Sequence, residues 1–265
     1  MSPTSPSFSG LKIAEYISDW LLNYAESANT NGFVVGVSGG IDSAVTATLC
    51  LMTGRPVYIV DMPIHQASSE VSRSIELCKS LERRFDNYEK LTVPLTEVYE
   101  ATKSALPQTE DKSGGLALAN TRARLRMTTL YALAAQRSGL VVGTGNKIED
   151  FGVGFFTKYG DGGVDLSPIA DLVKSEVYLI GAAIGVPQSI LDAAPTDGLW
   201  GDDRNDEDQI GATYPELEIA MSFFENNGDP DTLTGRSLVV YDIYSRLNKA
   251  NKHKMTPIPI CSIPR

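Results

Sequence analysis

Apolar residues in the first half of the chain follow two alternating spacings. Short runs of consecutive β-branched and aliphatic residues predict buried strands at 33–37, 57–63, 91–95 and 140–144. Between these runs, apolar positions three and four residues apart predict helices at about 10–28, 42–52, 67–84 and 117–137. Strands that alternate with helices of this length are typical of a parallel sheet with helices on both faces. We therefore predict an α/β fold with a doubly wound, Rossmann-like parallel sheet.

The second half of the chain is mainly helical in its pattern. Helices are predicted at roughly 174–184, 188–193, 214–226 and 234–249. Two polar stretches without periodicity, 106–115 and 192–213, predict exposed loops, and the longer of them predicts a lid. The acidic run at 202–208 lacks the glycine and glutamate of a calcium loop, so we interpret it as solvated. Residues 1–9 predict a disordered tail, which leaves 10–265 as a single domain with a helical C-terminal part.

The amino-acid composition argues against some classes of binding partner. The 265 residues carry a formal net charge of −10, which argues against general affinity for nucleic acids or anionic lipids. No apolar run is long enough to span a bilayer, so we expect small-molecule substrates and no membrane partner. The three cysteines are scattered and form no Cys-x-x-Cys pattern, which favours a reducing, cytoplasmic location.

The turn after the first predicted strand is Ser38-Gly39-Gly40-Ile41-Asp42-Ser43. A glycine turn between a strand and a helix presents free backbone N–H groups to an anion, and Asp42 adds a carboxylate suited to Mg²⁺. The turn has neither the lysine of a Walker loop nor the glycine spacing of a dinucleotide fingerprint. It resembles the loop of the ATP pyrophosphatase superfamily, whose members cleave ATP between the α- and β-phosphates and adenylate a substrate. An ordinary glycine turn is the alternative interpretation.

Three further stretches carry candidate chemistry. The segment 120–127 places Asn120 and Arg124 on one helix face beside other arginines, whose guanidinium groups suit carboxylates or phosphates, although a basic solvated face has the same pattern. The segment 143–150 follows a strand with a hydroxyl and then carboxylates, which could hold a nucleotide and a second Mg²⁺ contact. The segment 154–168 combines glycines, aromatic rings, a lysine and two aspartates, which favours a loop that stacks on a ring and binds charge.

Taken together, these stretches resemble the ammonia-dependent NAD⁺ synthetases over residues 11–254, and Phe-Phe-Thr-Lys-Tyr-Gly-Asp-Gly-Gly is the most distinctive of them. The resemblance implies a C–N ligase in which ATP adenylates the nicotinate carboxylate of deamido-NAD⁺ and releases pyrophosphate. Ammonia then attacks the acyl-adenylate to give NAD⁺ and AMP. The resemblance also implies ATP as co-substrate, Mg²⁺ as cofactor and a homodimer.

The same resemblance assigns roles residue by residue. ATP would be held by the loop and by three later positions: Gly36, Val37, Ser38, Gly39, Gly40, Ile41, Asp42, Ser43, Thr144, Lys174 and Thr196. Deamido-NAD⁺ would contact Asn120, Arg124, Lys158, Asp165, His253 and Lys254. Asp42 and Glu149 would hold the metal, and the catalytic residues would be Asp42, Lys174 and Asp161. Asp161 is the candidate to receive the proton of incoming ammonium, and a turn-forming aspartate is its alternative role.

The chain departs from the family pattern in one segment. Many members carry Gly-Thr-Asp-His-Ala-Ala-Glu where this chain has Gly-Thr-Gly-Asn-Lys-Ile-Glu at 143–149, and the segment before Phe155 is one residue longer here. Asp150 therefore competes with Glu149 as the second metal contact.

Two other functions remain open at this point. One is another enzyme of the same superfamily, such as a GMP synthetase, and the other is a non-catalytic ATP-binding sensor. A sensor would have no need of Arg124, Lys158, Asp165 and the His253-Lys254 pair together. The sequence leaves no room for an added glutaminase domain and has no N-terminal cysteine nucleophile, so we expect free ammonia as the nitrogen donor.

Overall fold

A computed structural model describes residues 9–66, 68–107, 112–196 and 205–264. Within those residues one four-stranded sheet has the order β3-β2-β1-β4, with all neighbours parallel. The strands are β1 (Gly32–Gly36), β2 (Val57–Asp61), β3 (Tyr88–Thr92) and β4 (Gly139–Val142). Because all four strands run the same way, their carboxyl ends lie along one edge, where ligands of such sheets bind.

Ten α-helices lie in the described part of the chain. They are α1 (Gly10–Ser27), α2 (Ile41–Met52), α3 (Ser68–Glu82), α4 (Thr96–Ala105), α5 (Lys112–Arg137), α6 (Lys174–Ala183), α7 (Gln188–Leu191), α8 (Asp206–Ile210), α9 (Tyr214–Glu225) and α10 (Gly235–Met255). A π-helix spans Lys147–Val153, and a 3₁₀ turn spans Pro230–Thr232. The eight helices predicted from periodicity are present, while α4, α8 and the π-helix are additions.

Successive residues of each central strand point to opposite faces of the sheet, and both faces are covered. In β1, Phe33 and Val35 are buried in the core formed with α1, α2, α3 and α6. Val34 is buried in the core formed with α4 and α5, where it joins Tyr99 and Ala134. This two-sided burial explains why the strand is a continuous apolar run, and it confirms the doubly wound fold.

A third core belongs to the helical C-terminal part. It joins the π-helix residues Ile148 and Val153 to Leu217 of α9 and Tyr244 of α10. The π-helix begins shortly after β4 ends, so this core holds the C-terminal helices beside the carboxyl edge of the sheet. Residues from both halves of the sequence therefore surround that edge.

Several boundaries differ from the prediction. β3 is Tyr88–Thr92 rather than 91–95, so the predicted strand lies three residues too far along the chain. α5 already begins at Lys112, so it takes up much of the loop predicted at 106–115. The predicted lid at 192–213 contains α8, which Asn205 caps by accepting a 2.7 Å hydrogen bond from the Asp208 N–H. α10 continues to Met255, six residues beyond the predicted end at 249.

Other predictions fall on residues outside the described ranges. These are the disordered tail except for its residue 9, the middle of the loop at 106–115, and the lid and acidic run between 197 and 204. In the described part of the chain, no helix is both long and apolar enough to cross a bilayer.

Candidate active site

A cavity of about 240 Å³ lies at the carboxyl edge of the sheet. Its wall contains most of the loop after β1, Thr144 after β4, and Lys174 at the start of α6. Thr196, the last described residue before the gap at 197–204, closes one side. The cavity walls also contain Glu149 and Asp161, so residues from separate segments of the chain meet there.

The two serines of the loop after β1 fix its turn by hydrogen bonds within the loop. The Ser38 N–H donates to Oγ of Ser43 over 3.2 Å, and the Gly40 N–H donates to Oγ of Ser38 over 3.3 Å. The Ser43 hydroxyl donates to the Gly40 carbonyl over 3.0 Å. α2 begins at Ile41 directly after this turn, so its N-terminal dipole faces the cavity and favours an anion there.

Gly39 faces away from the cavity, against α3. Its φ is +84°, and a Cβ there would stand 2.6 Å from the Glu70 carbonyl oxygen, so only glycine suits this position. The Arg73 Nε donates to the Gly39 carbonyl over 3.1 Å and fixes the loop to α3. Of the eight loop residues expected to hold ATP, Gly39 alone does not line the cavity; its role in this structure is the shape of the turn.

The strongest electrostatic feature is a buried cluster of three charges. Lys174 Nζ donates to Asp42 Oδ2 over 2.5 Å and to Glu149 Oε1 over 2.9 Å, and its side chain is only 3% exposed. Burial alone would lower the pKa of Lys174, but the two carboxylates raise it above its ordinary value. The same ammonium, with a hydrogen bond from Tyr214, overcomes the effect of burial on Glu149 and lowers the pKa of that carboxyl.

Two uncharged residues orient this cluster. The fully buried Asn146 accepts hydrogen bonds from the Ile148 and Glu149 N–H groups at the start of the π-helix, and its amide donates to Asp42 Oδ1 over 3.3 Å. The Tyr214 hydroxyl donates to Glu149 Oε1 over 2.5 Å. Asn146 therefore connects Asp42 in the loop to the π-helix that carries Glu149.

The π-helix, Lys147–Val153, carries both candidate carboxylates. A π-turn takes one more residue than an α-turn over nearly the same rise. Glu149 contacts Lys174, whereas Asp150 lines the cavity with its carboxylate packed against Gly145, at which a Cβ would overlap it. The geometry thus favours Glu149 over Asp150 as the partner of Asp42.

Asp161 lies in the wall of the same cavity. Its Oδ1 accepts a 3.0 Å hydrogen bond from the Thr157 N–H. Burial raises the pKa of Asp161 to about 6, although the hydrogen bonds from backbone N–H groups oppose that rise. A carboxylate with this pKa can accept a proton near neutral pH and can release it again.

The residues expected to contact the dinucleotide form a second group around the 154–161 segment. Thr157 Oγ1 donates to Asn120 Oδ1 over 2.7 Å, and the Arg124 guanidinium donates to the Lys158 carbonyl over 3.3 Å. Lys158 Nζ in turn donates to the carbonyl of His253 over 2.8 Å. Lys254 Nζ donates to the Gly154 and Phe156 carbonyls over 2.6 and 2.7 Å.

Asp165 stands apart from that group. Its Oδ2 accepts a 2.8 Å hydrogen bond from the Val141 N–H in β4, and its Oδ1 accepts one of 3.0 Å from the Tyr131 hydroxyl. Both contacts connect the end of the 154–165 segment to the sheet and to α5. In this structure Asp165 fixes the segment rather than facing the cavity.

Several residues of the site were not singled out from the sequence. Tyr214 gave no signal, because a tyrosine at the start of a helix is usually a core residue. Asn146 lies inside a segment that was singled out, yet nothing there distinguished it from its neighbours. Arg126 and Phe155 line the cavity itself. The arginine belongs to the pattern at 120–127, which could not show which of its arginines faces inward.

Comparison with known proteins gives one consistent family. Residues 13–257 match the family model for NAD synthase. The ammonia-dependent NAD⁺ synthetase of Carboxydothermus hydrogenoformans is 38% identical over 244 residues, which cover 91% of this chain and 93% of that protein. The ammonia-dependent NAD⁺ synthetase of Alkaliphilus metalliredigens is 37% identical, with 92% and 96% covered.

Solved structures agree with these relatives. The NMN synthetase of Francisella tularensis has a TM-score of 0.83 at 31% identity, covering 97% of this chain and 100% of that one. The ammonia-dependent NAD⁺ synthetase of Campylobacter jejuni has a TM-score of 0.77 at 25% identity, with the same coverage. The family model, the relatives and the cavity at the strand ends lead to one conclusion: this chain belongs to the NAD synthase family.

Proposed function

We propose that the chain catalyses the ATP-dependent amidation of deamido-NAD⁺ with ammonia, giving NAD⁺, AMP and pyrophosphate. Family membership supports the reaction. The observation that carries the proposal is the meeting of three features in one cavity: the Ser-Gly-Gly loop, the Lys174–Asp42–Glu149 cluster and Asp161. The reaction requires phosphate binding, neutralisation of negative charge and a proton acceptor, and each feature can supply one of these.

The first chemical step joins two anions. A carboxylate is a poor acyl donor until one of its oxygens becomes part of a good leaving group, and AMP is such a group. The loop N–H groups and the α2 dipole stabilise the phosphates. Lys174 supplies a buried positive charge beside them, which offsets the charge that builds up as pyrophosphate leaves.

Mg²⁺ fits the carboxylate pair of this site. Magnesium takes oxygen ligands and is commonly held by one or two carboxylates together with substrate phosphates. Asp42 and Glu149 supply two such carboxylates, and the Lys174 ammonium is already a cation held between them. Bound there, the metal would offset phosphate charge. Lys174 would then have to share or give up those contacts.

The second step needs a proton acceptor near the acyl carbon. Ammonia arrives largely as ammonium at neutral pH and must lose a proton before its nitrogen can attack. Asp161 lies in the cavity wall and has a pKa raised to about 6, so its ionised form can take that proton at pH 7. This step leaves amide and AMP.

The acid substrate would contact the group around the 154–161 segment. Three cationic side chains, those of Arg124, Lys158 and Lys254, lie around the 154–161 segment together with Asn120 and His253. Phe155, Gly160 and Asp161 of that segment line the cavity. That charge suits the phosphates of a nicotinate nucleotide. In this structure these side chains hydrogen-bond to backbone carbonyls or to neighbouring side chains. Substrate binding would therefore replace some of those hydrogen bonds with contacts to the substrate.

A mononucleotide acid is the second candidate substrate. The solved structure with a TM-score of 0.83 and 31% identity is an NMN synthetase, whereas the NAD synthetase of Campylobacter jejuni has 0.77 and 25%. The chemistry at the carboxylate would be identical, and only the adenylyl half of the dinucleotide would be missing. This likeness favours testing both acids.

The test is a direct assay with ATP, Mg²⁺ and ammonium, and with either acid in turn. Equal amounts of amide, AMP and pyrophosphate are expected, and formation of ADP would contradict the proposal. A larger kcat/KM for the dinucleotide supports an NAD⁺ synthetase, and a larger one for the mononucleotide supports the second candidate. ATP binding without turnover would instead indicate a sensor.

We further propose that residues 10–265 act as a single domain, that the protein works as a homodimer, and that it resides in the cytoplasm. A reducing compartment agrees with Cys50, Cys78 and Cys261, each of which is a free thiol. Light scattering at working concentration tests the assembly, and a monomer would contradict it.

A further inference from the structure

The arginines of the 120–127 segment have three different environments. Arg124 is exposed and donates to the Lys158 carbonyl outside the cavity. Arg122 stacks over the Tyr99 ring, with its Cζ 4.9 Å from the ring centroid. Arg126 lines the cavity itself. Only one of the three, therefore, stands where the reacting groups must meet.

Arg126 donates one hydrogen bond to a backbone carbonyl, and the carboxylates whose charge acts on it are those of Glu70, Asp161 and Asp61. Its Nε donates to the Met62 carbonyl at the end of β2 over 3.2 Å. Its Nη2 is buried, and no residue in the described ranges accepts a hydrogen bond from it. Burial lowers the pKa of Arg126, and repulsion from Arg122 adds to that effect. A desolvated guanidinium without a full set of acceptors is costly, and an oxyanion placed against it would remove that cost.

We propose that Arg126 binds an oxyanion of the reacting substrates, and that this oxyanion is the carboxylate of the pyridine acid. The inference rests on the proposed function and adds a residue to it. A phosphate of ATP has the same chemistry toward a guanidinium, and the experiment separates the two sources.

Two features favour the carboxylate. Arg126 and Asp161 line the same cavity, and Asp161 is one of three carboxylates, with Glu70 and Asp61, whose charge acts on the guanidinium. The acyl carbon must stand close to Asp161, the proposed proton acceptor. The cavity wall beside Arg126 carries Met62, Met127 and Leu130, which provide an apolar surface for an aromatic ring.

The position also gives Arg126 a role in discrimination. The substrate is an acid with a charged carboxylate, and the product is a neutral amide of the same shape. A guanidinium gains a bidentate, charge-assisted contact with the acid and loses it with the amide. Arg126 therefore favours binding of the substrate and release of the product.

The experiment compares Arg126→Lys and Arg126→Gln with Arg122→Gln as the matched control. Arg122 is one helical turn away and has its guanidinium on Tyr99. For Arg126→Gln we expect KM for the acid to rise by about tenfold or more, with KM for ATP within about twofold of wild type. The ratio of acid to amide affinity should fall by a similar factor, with Arg126→Lys intermediate and the control near wild type.

The alternatives have distinct outcomes. If KM for ATP rises instead, and an ATP analogue binds more weakly without any acid present, the oxyanion is a phosphate. Folded Arg126 variants with unchanged constants for both substrates would overturn the proposal. If the proposed function itself is wrong, the wild-type protein will show no turnover, so that outcome is distinguishable from a wrong role for Arg126.

A measurement on the wild-type protein covers the case in which both variants misfold. Calorimetric titration with the acid and then with its amide, each with an unreactive ATP analogue present, reports the discrimination directly. We expect the acid to bind about tenfold or more tightly than the amide. Equal affinities would exclude a carboxylate contact at Arg126.

Discussion

The two sides of the cavity use charge in different ways. On the proposed nucleotide side, Lys174 binds both Asp42 and Glu149, and all three side chains are charged. On the proposed acid side, Lys254 and Arg124 bind backbone carbonyls of the 154–161 segment, and Lys158 binds the carbonyl of His253. The first side is a cluster of one cation with two carboxylates, and on the second side cations hold backbone carbonyls.

This difference predicts different consequences of mutation. Removing Lys174 leaves two buried carboxylates without their cation, which affects stability and the chemical step together, whereas removing one carboxylate leaves a neutral ion pair and affects mainly the chemical step. Removing one cation from the acid side leaves a neutral carbonyl and a looser loop, which affects substrate binding more than the step itself.

Asp42→Asn should reduce amidation by about a thousandfold, because it removes a charge that neutralises the phosphate site, and such effects amount to several kcal/mol. The fold should remain intact, since Asp42 lies on a loop-to-helix turn and not in the apolar core. Pyrophosphate release measures the first effect and thermal melting the second. Asp171→Asn, at a side chain that is 99% exposed, is the control and should be fully active. Substantial activity of Asp42→Asn at ordinary Mg²⁺ would contradict the role of this carboxylate.

Lys174→Met should lower the free energy of unfolding by about 3 kcal/mol, because it leaves two buried carboxylates without their cation. Added Mg²⁺ should recover part of that loss if Asp42 and Glu149 hold a metal. The matched control is Lys147→Met: Lys147 also bridges two carboxylates, at 3.5 and 3.8 Å, but with a side chain 29% exposed. Its loss should be below about 1 kcal/mol and independent of Mg²⁺. Denaturant titrations with and without Mg²⁺ give both numbers, and equal losses would contradict the distinction.

Asp161→Asn should reduce amidation by about a hundredfold through loss of the proton acceptor. Because burial raises the pKa of Asp161 to about 6, the ionised acceptor disappears as pH falls through that value. The wild-type kcat/KM for ammonia should therefore fall below pH 6, and the variant should lack that limb. Exchange of labelled pyrophosphate into ATP precedes amidation and serves as the internal control. A variant that loses the exchange as well would place Asp161 in the first step instead.

Lys254→Met should raise KM for the acid by about tenfold, with kcat within a few-fold of wild type. The ammonium holds the Gly154 and Phe156 carbonyls, so its loss loosens the segment that carries Asp161. Lys252→Met in the same helical turn, at an exposed position, is the control and should leave KM unchanged. A decrease in kcat with no change in KM would show that the two sides of the cavity do not differ in the way described.

The nucleotide side was largely predictable from the sequence because its chemistry is local. The loop residues from Ser38 to Ser43 are contiguous, and their glycines and the hydrogen bonds of their own hydroxyls determine most of the turn. The alternation of apolar strands and helices predicts that the carboxyl ends of the strands share one edge of the sheet. That rule alone is sufficient to bring Thr144 and Asp42 to the same edge.

The rest of the site and of the fold could not be predicted, because it depends on contacts that no local sequence pattern encodes. Tyr214 reaches Glu149 from 65 residues away, and Arg126 faces the cavity only because α5 packs against β1 and β4 with one particular rotation. The π-helix could not be predicted from periodicity, since a single added residue can be absorbed at many points of a helix. The strand β3 was misplaced by three residues because its edge position weakens the apolar pattern.

The contact between Gly145 and Asp150 makes these two positions interdependent. A Cβ at 145 would overlap a carboxylate oxygen of Asp150, so a side chain added at 145 alone would collide with that carboxylate. A smaller residue at 150 alone would remove the group that fills the space beside the glycine. A larger residue at 145 is therefore tolerated only together with a smaller one at 150.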